Sequence, residues 1–277
     1  MKAFLRPLLA STFVGAVLFA SATDAKAAGH ANGFGEKGEL IITGDRLVPL
    51  FGYTHSSVER DGQINITEIR ETSSNRSGIS LLFGRDLSGS EDGVGEFSQP
   101  VNMHSLPRVA FDFTIIPHLT LGAALAFGFG LGGSTSEERS TGPNSSVTVK
   151  VDAPTYTAIG LAPRVGYIIP LGEHLALWPR GGFSFYSLSA KVETSVANAP
   201  REISVTDTLF ALDLDAQLAI IPVEHFLITV GPMLNIPVSG NRSISTTAGA
   251  NTTTIDRDIS VLHFGIHAGI GGWVNLF

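Results

Sequence analysis

Three copies of one turn constrain this chain more than any other feature. Ile115-Ile116-Pro117-His118-Leu119, Ile168-Ile169-Pro170 leading to His174-Leu175, and Ile220-Ile221-Pro222 leading to His225-Phe226 start at positions 115, 168 and 220, a spacing of 53 and then 52 residues. Each copy separates two stretches of alternating apolar residues, the pattern of a β-hairpin. A repeat of this length predicts an architecture built by adding hairpins.

The alternation is regular. Leu119, Leu121, Ala123, Leu125, Phe127 and Phe129 interleave with Thr120, Gly122, Ala124, Ala126, Gly128 and Gly130; Val109, Phe111, Phe113 and Ile115 interleave with Arg108, Ala110, Asp112 and Thr114. Ile159, Leu161, Val165, Tyr167 and Ile169 oppose Ala158, Gly160, Ala162, Arg164 and Gly166, and Phe210, Leu212, Leu214, Leu218 and Ile220 oppose Ala211, Asp213, Asp215, Gln217 and Ala219. In a soluble sandwich the second face would be rich in charge. Here it is small, with isolated charges, which predicts an apolar face toward lipid and a crowded face lining a closed interior.

Short Ile-Ile-Pro turns alternate with long polar links, Gly132 to Asp152, Val192 to Ser204 and Ser239 to Asp258. Outer-membrane barrels carry short periplasmic turns and long external loops. Strands are expected over 39–53, 107–116, 119–130, 155–169, 175–190, 204–221, 226–240 and 258–277, an all-β, antiparallel up-and-down transmembrane barrel of eight strands, with both chain ends periplasmic. Residues 39–277 form this single domain. Thr54 to Leu106 reads as a long external loop, the alternative being an added hairpin that makes ten strands. Pro163, Pro179, Pro232 and Pro237 fall inside strands, where each removes a ladder bond, so bulges are expected at them.

Residues 1–27 read as a secretory signal peptide: Lys2 and Arg6, then a largely apolar Pro7 to Ala20, then the cleavage pattern Ala25-Lys26-Ala27. That apolar stretch of about 14 residues falls short of the roughly 20 a spanning helix needs. Residues 28–38 would be an N-terminal periplasmic segment. Loss of Lys2, Arg6, Lys26 and Asp24 takes the net charge from −7 to −9. Such an acidic chain offers no general phosphate-binding surface, so nucleic acid is not an expected partner. The absence of cysteine excludes disulfides and thiolate metal sites. Sequons at Asn65, Asn75, Asn144, Asn241 and Asn251 read as bare polar loop residues.

With its export signal, alternating strands and the ending Gly272-Trp273-Val274-Asn275-Leu276-Phe277, the chain resembles the small outer-membrane β-barrel families of diderm bacteria, of the eight-stranded OmpA or OmpW type. The resemblance implies an outer-membrane location and recognition of the C-terminal strand, through Phe277, by the barrel assembly machinery. One departure stands out. Leu262, Phe264, Ile266, Ala268, Ile270, Val274 and Leu276 share the apolar phase while Trp273 and Phe277 fall on the other, which suggests a bulge within Gly269 to Gly272.

With the apolar phase facing lipid, the interior carries Arg108, Asp112, Arg164, Arg180, Asp207, Asp213, Asp215, Gln217, Asn235, His263 and His267. Counted from the short turns, Asp112, Arg164, Arg180 and Asp215 share one depth. Buried charges must be paired, so a charge network filling the lumen is the primary expectation, and gating or selection of solutes the alternative. Gly and Ala on the inner face of the strands from Leu119 and Thr155 predict a roomier side. His263 and His267, four strand residues apart, span about 13 Å, too far to share one ion, so no metal or other cofactor is expected. His55-Ser56 and His104-Ser105 put base and nucleophile on opposite strand faces and make no dyad. Gly128-Phe129-Gly130-Leu131-Gly132-Gly133 precedes no helix and is not a nucleotide loop. His118, His174 and His225 read as interfacial residues, and Phe51, Tyr53, Tyr156, Tyr167, Phe185, Tyr186, Trp273 and Phe277 as aromatic girdles.

The expected function is that of a non-enzymatic outer-membrane barrel with a structural or surface-interaction role, its partners being outer-membrane lipids, the assembly machinery and an extracellular ligand at the loops. A narrow channel for small or apolar solutes is the alternative, and a lipid hydrolase the third reading.

Overall fold

A computed structural model describes residues 33–65, 68–81, 102–142, 145–196 and 199–276. Its strands are β1 (Glu39–Asn65), β2 (Glu68–Leu81), β3 (Arg108–Ile116), β4 (Leu119–Gly142), β5 (Ser145–Tyr167), β6 (Ile169–Gly172), β7 (Leu175–Val196), β8 (Ala199–Val223), β9 (Phe226–Ala248) and β10 (Asn251–Asn275). All pairings are antiparallel, and β10 returns to pair with β1 from Glu39↔Asn275 to Glu59↔Asp258. That last ladder closes the sheet into a barrel of eight staves. Closure leaves the lower wall without an edge strand.

Eight staves accommodate ten strands because two staves are composite. Along one side of β1, β3 pairs with residues 40–45 and β2 with residues 51–65, so β2 and β3 stand one above the other. β6 likewise continues β5 against β7. The expected loop from Thr54 is therefore corrected. β1 runs on to Asn65 and folds back through β2, and neither a simple loop nor two added staves results.

The polar links are corrected in the same way. β4 and β5 stay paired to Gly142↔Ser145, β7 and β8 to Val196↔Ala199, and β9 and β10 to Ala248↔Asn251. A tilted crossing needs about 9–11 residues, whereas β8 and β10 each have 25. The surplus projects as hairpins on the long-link side. Ser- and Thr-rich stretches sustain it: Thr is β-branched and suits a strand, and pairs such as Ser245 Oγ with Thr254 Oγ1 (2.9 Å) and Thr247 Oγ1 with Thr252 Oγ1 (3.0 Å) bridge the strands.

Polarity is inverted relative to a soluble protein. Phe111, Leu121, Phe127, Leu161, Phe183, Leu214, Phe264 and Ile270 are exposed on the outside, while Asp112, Arg164, Arg180, Asp213 and His263 are buried inside. An apolar band around a charged interior is stable only in lipid, so the chain is an outer-membrane barrel. None of the described helices is long and apolar enough to span a membrane.

Prolines are accommodated more economically than by bulges. Of Pro163, Pro179, Pro232 and Pro237, only Pro237 lies at a register shift, between Phe210↔Ser239 and Ala211↔Pro237. At Pro163 the β5 to β7 ladder stops after Leu161↔Phe185 and resumes in register at Arg164↔Gly182. Pro232 keeps its partner Ile266 on β10 while the β8 ladder skips it, and Pro179 keeps Ala216 on β8. A strand's N–H groups alternate sides, so one missing donor interrupts one neighbour only.

The short-turn rim is tied together by backbone. Each turn ends in His, and His118 and His225 hold positive φ values of 72° and 64°. His118 N–H donates to Gly35 O (2.7 Å), Ile168 N–H to His118 O (2.7 Å) and Ile221 N–H to His174 O (2.8 Å). The repeated Ile-Ile-Pro-His pattern thus bonds each turn to the next.

Candidate functional site in the lumen

At the short-turn end, residues 33–38 tuck into the barrel mouth. Gly38 N–H donates to Thr114 O (2.9 Å), Leu276 N–H to Gly38 O (3.0 Å), and Gly35 N–H to the buried carboxylate of Glu39 (2.7 Å). Phe34 enters the lumen edge-on to Trp178 (centroids 5.8 Å) and against Trp273 (5.0 Å), in a buried cluster with Ile41, Ile168, Ile221 and Leu227. Trp273 accordingly points inward. The β9 ladder runs in register through Gly269 to Gly272, and the β1 ladder does so from Ile270 to Gly272; the β1 ladder shifts opposite Gly269, with the extra residues on β1 between Gly44 and Val48, so the inward phase of Trp273 needs no added residue in β10. The inward aromatic is the bung of the barrel, and its place in a girdle is corrected, as is that of the buried Tyr186. Phe277 lies outside the described residues.

Above this bung sits the charge network. Arg164 donates to both oxygens of Asp112, Nε to Oδ1 at 2.9 Å, and reaches Asp45 with Nη1. Arg180 lies between Asp45 (3.4 Å) and Asp215 (3.3 Å), with its guanidinium 4.7 Å from the Trp178 ring. Arg108 meets Asp213 at 3.1 Å and Asp215 at 3.6 Å, and Asp213 also accepts from Ser184 (2.7 Å), Asn235 and Arg46. Asp112 and Arg164 stand level across Gly122, and Arg180 stands opposite Asp215. Asp207 stands apart, held by Arg242 through Nε (2.7 Å) and Nη2 (2.6 Å) in a bidentate pair.

Asp45, Arg46 and Arg242 were not among the sequence candidates. Alternation admits only one of two consecutive residues to a given face. In β1 a register shift between Gly44 and Val48 and a positive φ of 59° at Arg46 send Asp45 and Arg46 inward together. Bulges re-aim side chains in this way. Arg242 lies beyond residue 240, where the alternation of β9 ends, on the stretch by which β9 runs on to Ala248. With these three, the buried Arg and Asp among the described residues number five each, and Glu39 adds one buried carboxylate at the short-turn end.

From the long-link side, Asn102 to Leu106 enters the lumen as a short 3-10 turn, Met103–Ser105, with Met103 and His104 fully buried. Arg46 donates to His104 O, Asn102 Nδ2 to Thr54 Oγ1 (2.9 Å), and the His104 ring stands edge-on to Tyr186. Val58, Leu188, Leu209, Ile259 and Val261 surround Met103. The Gly and Ala face of β4 and β5 is therefore not open space: Arg108, Arg164 and this inserted segment lie over it. Two voids of about 10 Å³ remain beside the network, each room for about one water.

His263 and His267 require a further correction. Their ring Nε2 atoms approach to 3.5 Å, although their backbones stand four strand residues apart. Gly265 between them has no side chain, and both rings fold over it.

No family model matches the sequence, and no curated protein matches it. Among solved structures, Ail, the attachment invasion locus protein of Yersinia pestis, aligns with 85% of this chain and 99% of its own at 13% identity and a TM-score of 0.29. The outer membrane protein OprG from Pseudomonas aeruginosa aligns with 85% of this chain and 96% of its own at 10% identity and a TM-score of 0.40. The outer membrane protein AlkL aligns over 91% and 95% at 12% identity, with a TM-score of 0.37.

Proposed function

We propose that this outer-membrane barrel is closed to solutes and acts through its projecting hairpins, as a structural or surface-interaction protein of the envelope without enzymatic activity. One observation carries the reading. The lumen is occupied in succession by Phe34, the Arg and Asp network and Met103–His104, leaving water-sized voids between them. A wall of strands that extends well past the bilayer presents its Ser and Thr to the exterior, where an extracellular ligand would bind.

In this reading the signal peptide is removed after Ala27, lipids surround the barrel, and the assembly machinery reads the C-terminal strand ending at Phe277. The acidic chain has no nucleic-acid partner. Refolded protein of residues 28–277 in a planar lipid bilayer tests closure. Silence from protein shown to be inserted is the expected result, and discrete reproducible current steps would overturn it in favour of a narrow channel.

A further inference from the structure

The segment that enters the lumen from the long-link side is fastened at its start by one amide. Asn102 Oδ1 accepts from His104 N–H (3.1 Å), which fixes the orientation of the side chain and turns its NH2 toward the wall. There Asn102 Nδ2 donates to Thr54 Oγ1 (2.9 Å) and to His263 Nδ1 (3.1 Å). His263 Nδ1 therefore presents a lone pair, and the proton of the ring resides on Nε2, 3.5 Å from His267 Nε2. In this bond His263 serves as the neutral ring.

A proton added at Nδ1 would aim a donor at a donor. The surroundings leave such a charge without a partner of its own. Arg46 of β1 and Arg108 of β3 already meet Asp213 of β8 at 3.3 and 3.1 Å, and Arg108 also meets Asp215 at 3.6 Å. The Tyr186 phenol of β7 stands edge-on to His104. The other neighbours are imidazoles: His104 lies parallel to His263 with centroids 6.4 Å apart, and His267 lies 5.8 Å from it. Beyond His267, Arg180 and Asp45 line the same water-sized void.

His104 travels with the segment and is wholly buried. Burial pushes its imidazole down from the ordinary 6.5 to about 4. Released into water, it charges at the ordinary value. Insertion is therefore at full strength above about 6.5 and weakens as the pH falls toward 4, tenfold for each unit on account of this one ring.

We infer that Asn102 to Leu106 is an acid-released insert, held in the lumen at neutral pH by the acceptor nitrogen of His263 and freed when His263 and His104 take up protons. Its departure uncovers an apolar recess walled by Val58, Tyr186, Leu188, Leu209 and Val261. The Arg and Asp network and Phe34 still fill the lumen beneath. The inference thus goes beyond the closed-barrel reading, and its test is separate from conductance.

The chain has no cysteine, so Met103→Cys supplies one buried reporter. Its rate of reaction with dithiodipyridine, which attacks thiols in acid as well as at neutral pH, is measured in refolded protein of residues 28–277. That rate is divided by the rate for Asn251→Cys, an exposed position beside the β9–β10 turn, which cancels the chemistry of the thiol itself. From pH 7.5 to pH 5 the ratio should rise about 30-fold or more. Adding His104→Gln or His263→Gln should each reduce the rise, and the two together should leave the ratio flat, since a glutamine carbonyl accepts from Asn102 at any pH. Heat-dependent gel mobility confirms that each variant is a folded barrel. A ratio indifferent to pH with both histidines present overturns the inference. So does an undiminished rise with both replaced, which would assign acid release to protonation of Asp213 and loss of its hold on Arg46.

Discussion

Arg164 grips Asp112 across an intervening strand. The two residues belong to β5 and β3, which do not pair with each other, and Gly122 of β4 lies between them in register with both. A Cβ at Gly122 would strike the Asp112 carboxylate. The glycine is the gap through which the guanidinium reaches its partner, so the small inner face of β4 serves ion pairing.

Removing Asp112 should cost more than removing Asp215. Asp112→Ala leaves Arg164 with Asp45 alone in place of a bidentate partner, and breaking a buried pair costs about 3–5 kcal/mol. Asp215→Ala leaves Arg180 facing Asp45 at 3.4 Å and Arg108 facing Asp213 at 3.1 Å and should cost about 1.5–3 kcal/mol. Urea unfolding of both variants in the same lipid would rank them, and equal losses would show that the bidentate partner of Arg164 is worth no more than the single contacts of Asp215.

Adjacent glycines in β7 should respond oppositely to alanine. A Cβ at Gly182 would collide with the Pro163 carbonyl and the Arg164 backbone, whereas at Gly181 it meets Leu214 Cδ2 at 3.6 Å, an ordinary contact. Gly182→Ala is expected to destabilise the barrel by at least about 1–3 kcal/mol, and Gly181→Ala by no more than about 0.5 kcal/mol. The same unfolding assay decides it.

Phe34→Ala withdraws the aromatic that fills the short-turn mouth. A stability loss of about 3–5 kcal/mol is expected for a buried Phe. Conductance should nonetheless stay silent because the Arg and Asp network above is untouched. Current steps from this variant would place the seal at Phe34 and deny it to the network.

Orientation can be read from intact cells. An epitope inserted after Gly249, where the φ is 61° and the glycine has open space around it, should be labelled from outside without permeabilisation. The same epitope between Glu173 and His174 should be labelled only after the outer membrane is breached. The reverse pattern would invert the topology.

What the sequence determined by itself is the barrel and its polarity. Period-two alternation through residues such as Leu119, Leu121 and Phe127 decides which side chains share a face, and the Ile-Ile-Pro turns decide where strands reverse. Both are local properties of the chain. Depth in a hairpin is counted from its turn, and by that count Asp112 falls level with Arg164 and Arg180 with Asp215.

Tertiary structure decided what alternation cannot express. A bulge turned Asp45 and Arg46 inward together, and ladders that persist into water lengthened β9 until Arg242 reached Asp207. The inward phase of Trp273, which reads as an error in the last strand, gained its meaning only from Phe34, more than two hundred positions earlier in the chain. His263 and His267 were kept apart by strand rise and brought together by side chains leaning over a glycine. Backbone periodicity is encoded locally, whereas the meeting of side chains in a closed lumen depends on which residues the closure sets opposite one another.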